Sequence, residues 1–531
     1  FLLPYTQDST HLQMYDNDYY DVVTSEDEQL VSTDDLWSKP FRHLRDAKSM
    51  PNFRRGVLLA RRRYDPFVKE ALQCFDPELR ETQLRGFTRQ PGRAKDLRDS
   101  VAQYDKPARY LPKAWTTDKR LQMAYNLAVQ ETRQEMKLDE KVVPTFVKSV
   151  NLVLNTSSGY PHFKKKGDIK NQILHEGRVL HHHLKNPKSG VPFRPCAIGT
   201  RGALSEVEKP KTRGIWMYPA DMTCAEGVYA QPLIKAYYNQ KSHLFLTGVE
   251  TRYKLDKFLA TICGDEGFHG VGLDFSKFDS FPVTKLIYDA FDIYNENLAH
   301  GSYWDPQNGV VTAGIDDNKD FERVRKRSET AFFRIRDYFI NTPLLLPNGR
   351  VVMKDHGVPS GSHFTNLVDS TVCRILIKCF AFYTNRRISE LRTNGDDSAF
   401  RVSVTYSPKI IEDASAFFEK HFLMTVKPEK TCFASVPAEM HISGTFWKNC
   451  IPTRTTRDWF LLALYPSTFV KDQFDAFQRL LGIGIAGGFN DEKFCRFFDY
   501  FQTGYDCWKG PNLLDWTKFR WLEFAFGLTD L

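Results

Sequence analysis

Asn394-Gly395-Asp396-Asp397-Ser398 lies in the middle of a stretch, Ile388 to Val404, that reads as strand, turn, strand. The Asn-Gly step is the strongest short-range hairpin signal, because both central residues of the tight turn need positive φ. The spacing therefore predicts a β-hairpin with two adjacent carboxylates at its tip, projecting into a cleft. Two such charges about 4 Å apart repel by roughly 4 kcal/mol at an effective dielectric near 20, which favours a bound cation or a shared proton. Carboxylates are hard oxygen donors of the kind that suit Mg²⁺ or Mn²⁺.

Working outward, Gly272-Leu273-Asp274-Phe275-Ser276-Lys277-Phe278-Asp279 supplies a third acid. Asp274 follows the apolar Val271-Gly272-Leu273 and is placed at the end of a neighbouring strand, where its carboxylate can meet Asp396 and Asp397. Three such acids fit two metal ions about 3.5–4 Å apart, one activating an attacking hydroxyl and one stabilising a leaving oxygen. An isolated Gly-Asp-Asp is a common solvated turn, so the surrounding blocks decide its reading.

Residues Gly357 to Ser370, GVPSGSHFTNLVDS, combine a glycine-flanked turn with a helix start. The helix is expected over Ser362 to Phe382, with Leu367, Val368, Val372, Ile375 and Leu376 on its apolar side. A further helix is expected from Ser407-Pro408, with Ser as N-cap and Pro at the first position, to about Phe422. Thr116 to Val153 reads as mainly helical, and Arg194 to Pro219 as paired strands. After Pro452 the chain is aromatic-rich and mostly helical. Gly482 to Gly487 fits G-x-G-x-x-G, but a helical stretch precedes it where a dinucleotide fold needs a strand, so it is read as a loop.

These blocks, in their order, resemble the viral RNA-dependent RNA polymerases, most closely those of small double-stranded-RNA viruses of the partitivirus type, with picobirnavirus polymerases as the nearest competitor. The resemblance spans about Asn155 to Lys448. It implies an α+β, right-hand fold of fingers, palm and thumb, with an antiparallel palm sheet flanked by helices. By resemblance, residues 1–115 form an N-terminal extension that bridges fingers and thumb, contacts a capsid, or does both, with 116–265 the fingers, 266–280 and 356–450 the palm, 281–355 a fingers/palm insertion, and 451–531 a helical thumb and C-terminal region.

The resemblance also implies roles. Asp274 and Asp396, with Asp397, would hold two Mg²⁺ or Mn²⁺ ions, and Lys430, with Lys427 as rival, would donate a proton to the leaving pyrophosphate. Arg213 matches the position that pairs the triphosphate, supported by Lys211, Lys209 and Arg201. Asp279, Ser360, Gly361, Thr365 and Asp369 would form the sugar site; picornavirus polymerases have Asn where this chain has Asp369, and an ionised acid there accepts hydrogen bonds but cannot donate them. Ser158, Gly159, Lys164 and Lys165 would border the template entrance, and Trp447 and Lys448 the primer strand. The activity implied is template-directed RNA synthesis, with single-stranded template, nascent and double-stranded product, nucleoside triphosphates and a viral capsid protein as partners, inside a virus particle in the host cytoplasm. An RNA-packaging or capsid-associated binding protein is the rival from another class; a reverse transcriptase is disfavoured by Asn394-Gly395, where an aromatic-x-Asp-Asp turn is usual.

Composition sets bounds on these readings. The chain has 531 residues, 42% of them hydrophobic, enough for a sizeable core. Its net charge of +8 suits a polyanionic partner but is modest for the length. Charge is unevenly placed: residues 1–40 hold nine acids and one base, whereas Arg42 to Arg120 is strongly basic around Arg61-Arg62-Arg63. The ten cysteines show no Cys-x-x-Cys pair, indicating neither a zinc site nor a disulfide framework and suggesting reduced, intracellular thiols. His181-His182-His183 lacks metal-site spacing and is expected to be packed or solvated surface. No apolar run reaches the roughly 18–20 residues needed to cross a bilayer. Phe1-Leu2-Leu3-Pro4 does not resemble a signal peptide, and the missing initiator Met suggests processing or trimming.

Overall fold

The computed structural model describes residues 33–47, 49–50, 64–89, 94–107, 114–186, 188–190, 193–209, 211–246, 248–263, 266–312, 318–403, 409–442, 444–448, 451–467 and 470–504. The acidic start up to residue 32, Arg61 to Arg63, Ser407-Pro408 and the chain after Gly504 lie outside them.

A four-stranded antiparallel sheet forms the centre, in the order Ile388–Asn394, Asp397–Ser403, Phe268–Leu273, Cys432–Ala434. Its strands follow a two-residue period: Val271, Leu273, Phe400 and Val402 turn into the main core. Ala399 and Cys432 face the other way, onto the helix Gly248–Cys263 with its Leu255, Phe258 and Ile262. Gly272 allows close approach on that face, since a Cβ there would stand 2.8 Å from the Cys432 sulfur. The expected hairpin and the expected long helix, Thr365–Thr384, are both present.

That helix packs against Lys119–Glu135, where Arg374 Nη1 and Lys378 Nζ meet the Glu135 carboxylate at 2.8 and 2.7 Å. The helical expectation for Thr116 to Val153 holds only to Glu135. Beyond it the donors of the chain are claimed by other segments: Val142 N donates to Asn297 O at 2.7 Å and Thr145 N to Val228 O at 2.9 Å, drawing residues around Pro144 into extended backbone.

The paired strands expected in Arg194 to Pro219 are Cys196–Ala203 and Lys211–Met217. They belong to a five-stranded sheet completed by Pro343–Leu345, Val351–Met353 and Arg45–Ala47, so the N-terminal segment adds the edge strand. The N-terminal residues also enter a second core. Val68, Leu72, Leu79 and Leu84 pack with Trp459, Phe460, Phe477, Phe494 and Phe497 from the helices Thr456–Leu464, Gln473–Ile485 and Glu492–Gly504. Buried Asp65 caps the helix Pro66–Phe75 through Val68 N and accepts from Arg479 Nη2 at 2.6 Å. A few residues on, Phe87–Thr88 pairs with Ser205–Glu206.

Gly482 to Gly487 is not the expected loop: it runs through the last turn of Gln473–Ile485, with Ala486 N bonded to Gly482 O at 3.0 Å. Gly484 is required by packing, because a Cβ would lie 2.3 Å from the Phe489 ring. Among the described residues no helix is long and apolar enough to cross a membrane.

Candidate active site

In the hairpin Asn394 pairs with Asp397, leaving Gly395-Asp396 as a two-residue turn with Gly395 at φ +64°. The turn is tied to the long helix: Gly395 N donates to Ser370 Oγ at 2.8 Å and Asn366 Nδ2 to Asn394 Oδ1 at 2.9 Å. Ser398 lies opposite Leu273 in the sheet. The next antiparallel step sets Asp397 beside Asp274, bringing together acids more than a hundred residues apart in the chain.

Burial, then Asp397, Asp279 and Asp274, push the Asp396 carboxyl up to about 7. Asp369 is 4% exposed, and its Oδ1 has no hydrogen-bond partner among the described residues. Burial, with Asp279 and Asp396 adding, holds it well above the usual carboxylate range. Asp279 is raised by burial and partly offset by the Arg213 guanidinium. These carboxyls thus share one field, and that field favours protons, cations or hydroxyl donors.

Among the described residues no three His, Cys, Asp or Glu side chains form a ready-made metal cage. Asp274, Asp396 and Asp397 are neighbours, not a closed set. Their hard oxygens fit an open Mg²⁺ or Mn²⁺ site of the type completed by water and substrate phosphates. Asp274 is meanwhile engaged by Lys427, whose Nζ lies 2.8 Å from its Oδ1 and 3.2 Å from Phe275 O. Lys430 ends the single turn Pro428–Lys430 and makes no such contact with Asp274. Lys211 and Arg213 stand on the strand Lys211–Met217. The Lys211 ammonium is lowered first by burial, then by Lys430, Lys427 and Arg213, which places all four cations in one neighbourhood. Arg201 lies opposite Arg213 in the strand pair, and Lys209 is exposed in the turn before it.

The residues expected at a sugar site are brought together, but not as one polar network. Ser360 Oγ accepts from Trp216 N at 3.1 Å. Thr365 Oγ1 donates to Pro359 O and Ser362 O at 2.7 and 2.9 Å, closing the turn onto the helix. A Cβ on Gly361 would stand 1.8 Å from Trp216 O. Ser360, Gly361 and Thr365 therefore shape the loop, leaving Asp279 and Asp369 as the acids that face each other.

Two expected RNA contacts are corrected by burial. Ser158 is fully buried: its hydroxyl accepts from Lys164 N at 3.1 Å and its backbone bonds Lys164 and Ala220, so it builds the loop from within. Trp447 is 1% exposed in the core beneath the sheet, leaving its ring no surface for a primer strand. Gly159, at φ +65°, packs against Tyr218 O, and Lys164 and Lys165 are exposed. Lys448 ends the strand Thr445–Lys448, opposite Ile451. The histidine triplet lines a cavity of about 570 Å³ with Phe146, Lys148 and Arg178. His181, buried and bonded to Tyr229 Oη at 3.1 Å, has its pKa held down by burial.

Three buried residues around the loop escaped the sequence reading: Tyr104, Glu226 and Lys354. Burial pushes the Glu226 carboxyl up to about 8 and holds the Lys354 ammonium well below its ordinary range. A glutamate inside the apolar run Cys224-Ala225-Glu226-Gly227-Val228 was a visible signal; a single tyrosine and a single lysine were not.

The family model "Viral RNA-dependent RNA polymerase" matches residues 16–502. An RNA-directed RNA polymerase of Cryptosporidium parvum virus 1 (strain KSU-1) is 26% identical over 255 residues, 46% of this chain. The match spans 42% of that curated relative's length. Among solved structures, the insertion-loop deletion mutant of the RNA-dependent RNA polymerase of a human picobirnavirus superposes with a TM-score of 0.56 at 16% identity, over 91% of this chain and 92% of that one. The Sicinivirus 3Dpol RNA-dependent RNA polymerase gives 0.55 at 15%, over 76% and 85%. These likenesses bear out the right-hand fold.

Proposed function

We propose, for a chain that belongs to the viral RNA-dependent RNA polymerases, that it carries out template-directed RNA synthesis, an RNA 3′-hydroxyl attacking the α-phosphate of a matched nucleoside triphosphate with release of pyrophosphate. The observation that carries the reading is the placement of Asp396 and Asp397 beside Asp274, with Lys211 and Arg213 in the field opposite. Mg²⁺ or Mn²⁺ held by Asp274, Asp396 and Asp397 would lower the pKa of the attacking hydroxyl and stabilise the leaving oxygen.

The chain's own residues supply the rest. Arg213 pairs the triphosphate with its planar fork, and Lys211 adds charge beside it. Lys427 neutralises Asp274, the carboxylate that would otherwise be free to hold a cation. Lys430 gives a proton to the departing pyrophosphate. Asp279 and Asp369 read the ribose 2′-hydroxyl, their shared proton affinity letting one of them donate. Exposed Lys164 and Lys165 hold template phosphates at the loop built around Ser158 and Gly159. Residues 116–265 serve as fingers, 266–280 and 356–450 as palm and 451–504 as thumb, with 64–89 bridging thumb and fingers. The partners are single-stranded template, double-stranded product and a capsid protein within a virus particle.

The test is incorporation of labelled ribonucleotides on a single-stranded RNA with Mg²⁺ or Mn²⁺, comparing this chain with Asp396→Asn. Template-dependent product that disappears in the variant, with RNA binding kept, is expected. RNA binding without product in either chain would sink the reading and favour a binding protein.

A further inference from the structure

We propose that Tyr104, Lys354 and Glu226 are positioning residues that hold the loop from Gly357 to Ser362 in register with the sugar-facing acids. The proposal rests on the polymerase reading for what the loop does, but not for how it is held.

Each of the three is buried, each comes from a different part of the chain, and each makes at least one hydrogen bond to the loop. Lys354 is fully buried, and its Nζ donates to Phe339 O, Ile340 O and Gly357 O at 2.5, 2.9 and 2.8 Å. Three protons meeting three main-chain carbonyls saturate an ammonium group. Such a cation is costly to bury, and a Met could fill the volume, so the three-way geometry is what the lysine adds. Glu226 is fully buried on the helix Ala220–Gln240 and accepts from Ser362 Oγ at 2.9 Å and His363 N at 3.0 Å. Tyr104 is 7% exposed and donates to Val358 O at 2.8 Å. Its ring stands edge-on to Trp216 at 5.1 Å and lies 2.9 Å from where a Cβ on Gly357 would be. The residue next to it is itself anchored: the Asp105 carboxylate accepts the backbone N–H groups of Arg42, His43 and Leu44.

What these residues hold is a joint. Val358 N donates to Asp279 O at 2.6 Å and Gly357 N to Pro282 O at 2.8 Å, tying the loop to the segment that bears Asp279. Trp216 N donates to Ser360 Oγ on the strand that carries Arg213. The helix that follows the loop carries Asp369. A displaced loop therefore moves the sugar acids and the triphosphate strand relative to each other, and a residue of the N-terminal extension takes part in setting sugar choice without touching the nucleotide.

Amide hydrogen exchange of the peptide spanning 355–366 tests the clamp in the full chain, whether or not RNA is made. Tyr104→Phe and Lys354→Met should each speed exchange there by roughly tenfold or more, with distant helices unchanged. If Lys354→Met does not fold, Tyr104→Phe alone decides. In parallel, the ratio of kcat/KM for a ribonucleotide over its 2′-deoxy analogue should fall about tenfold in Tyr104→Phe, carried mainly by KM, with RNA binding kept. Unchanged exchange overturns the clamp. Faster exchange with an unchanged sugar ratio overturns the positioning role. A parent chain that makes no RNA sinks the polymerase reading instead, while exchange still decides the clamp.

Discussion

Replacing Glu226 by Gln probes whether the loop's buried acid is carried as a neutral group. Burial raises this carboxyl from 4.5 to about 8, the bonds from His363 N and Ser362 Oγ opposing only in part. Below pH about 4.5 the group is protonated in both folded and unfolded chains, and its contribution is fully present. As pH rises from there, the unfolded chain releases the proton while the folded chain keeps it, so stability falls. Above pH about 8 both forms are ionised and the loss is complete. The gap of 8 minus 4.5, at roughly 1.4 kcal/mol per unit, amounts to roughly 5 kcal/mol over the whole window. Gln keeps the shape and cannot ionise, so it removes the pH dependence while preserving hydrogen bonds to the loop. Urea unfolding of parent and Glu226→Gln at a series of pH values should show the variant gaining on the parent by roughly 4 kcal/mol between about pH 5 and 8. Parallel profiles for the two chains would refute the neutral carboxyl, as would a variant that loses ground as pH rises.

Substitutions at four positions probe the rest of the site. Gly361→Ala places a methyl 1.8 Å from Trp216 O, backbone against backbone, and should cost roughly 3 kcal/mol or more in unfolding free energy, read by thermal or urea denaturation. Arg213→Lys keeps the charge but loses the planar fork, and steady-state kinetics should show KM for the nucleotide raised about tenfold, with Arg213→Ala worse. Lys427→Met frees Asp274 from its ion pair at 2.8 Å and should lower the Mg²⁺ concentration needed for half-maximal rate by a few-fold. Lys430→Met should instead reduce kcat by about 10–100-fold, and the reverse pattern would exchange the two roles.

The hairpin of acids was legible because turn chemistry is local: Gly395 supplies the positive φ the turn needs, although the two central residues are Gly395-Asp396, one place on from the Asn394-Gly395 step. The long helix after Gly361 was legible from its apolar period. The end of the helix at Glu135 was not, because the residues beyond it are extended by partners such as Asn297 and Val228, more than eighty residues away in the chain. Trp447 illustrates the same limit. An aromatic residue beside a lysine reads equally as a stacking platform or as core, and only the packing of Phe258, Ile262 and Met440 around it settles the matter. Asp274, Asp396 and Asp397 could be found as types and spacing, whereas Lys427 on Asp274 and the contacts around Gly357 arise from folds of the chain that no local pattern records.

On the polymerase reading, the charges of the site also constrain how sugar and triphosphate recognition would work together. Asp274 is compensated by Lys427, and Asp279 in part by Arg213, whereas Asp369 and Asp396 are raised by burial and then by the acids around them. On the polymerase reading, Arg213 is also the residue that pairs the triphosphate. One guanidinium cannot serve both partners at full strength, so a triphosphate that draws Arg213 weakens its hold on Asp279. The acid pair then prefers a proton more strongly, and a protonated carboxyl can donate to a hydroxyl oxygen while its ionised partner accepts from the hydroxyl. That division of donor and acceptor is what a ribose 2′-hydroxyl can satisfy and a 2′-deoxy sugar cannot. It offers a reason for an acid at position 369: two carboxyls near one another can share a proton whose ownership shifts when the substrate's charge arrives, whereas an amide there would donate at all times, with or without a nucleotide in place.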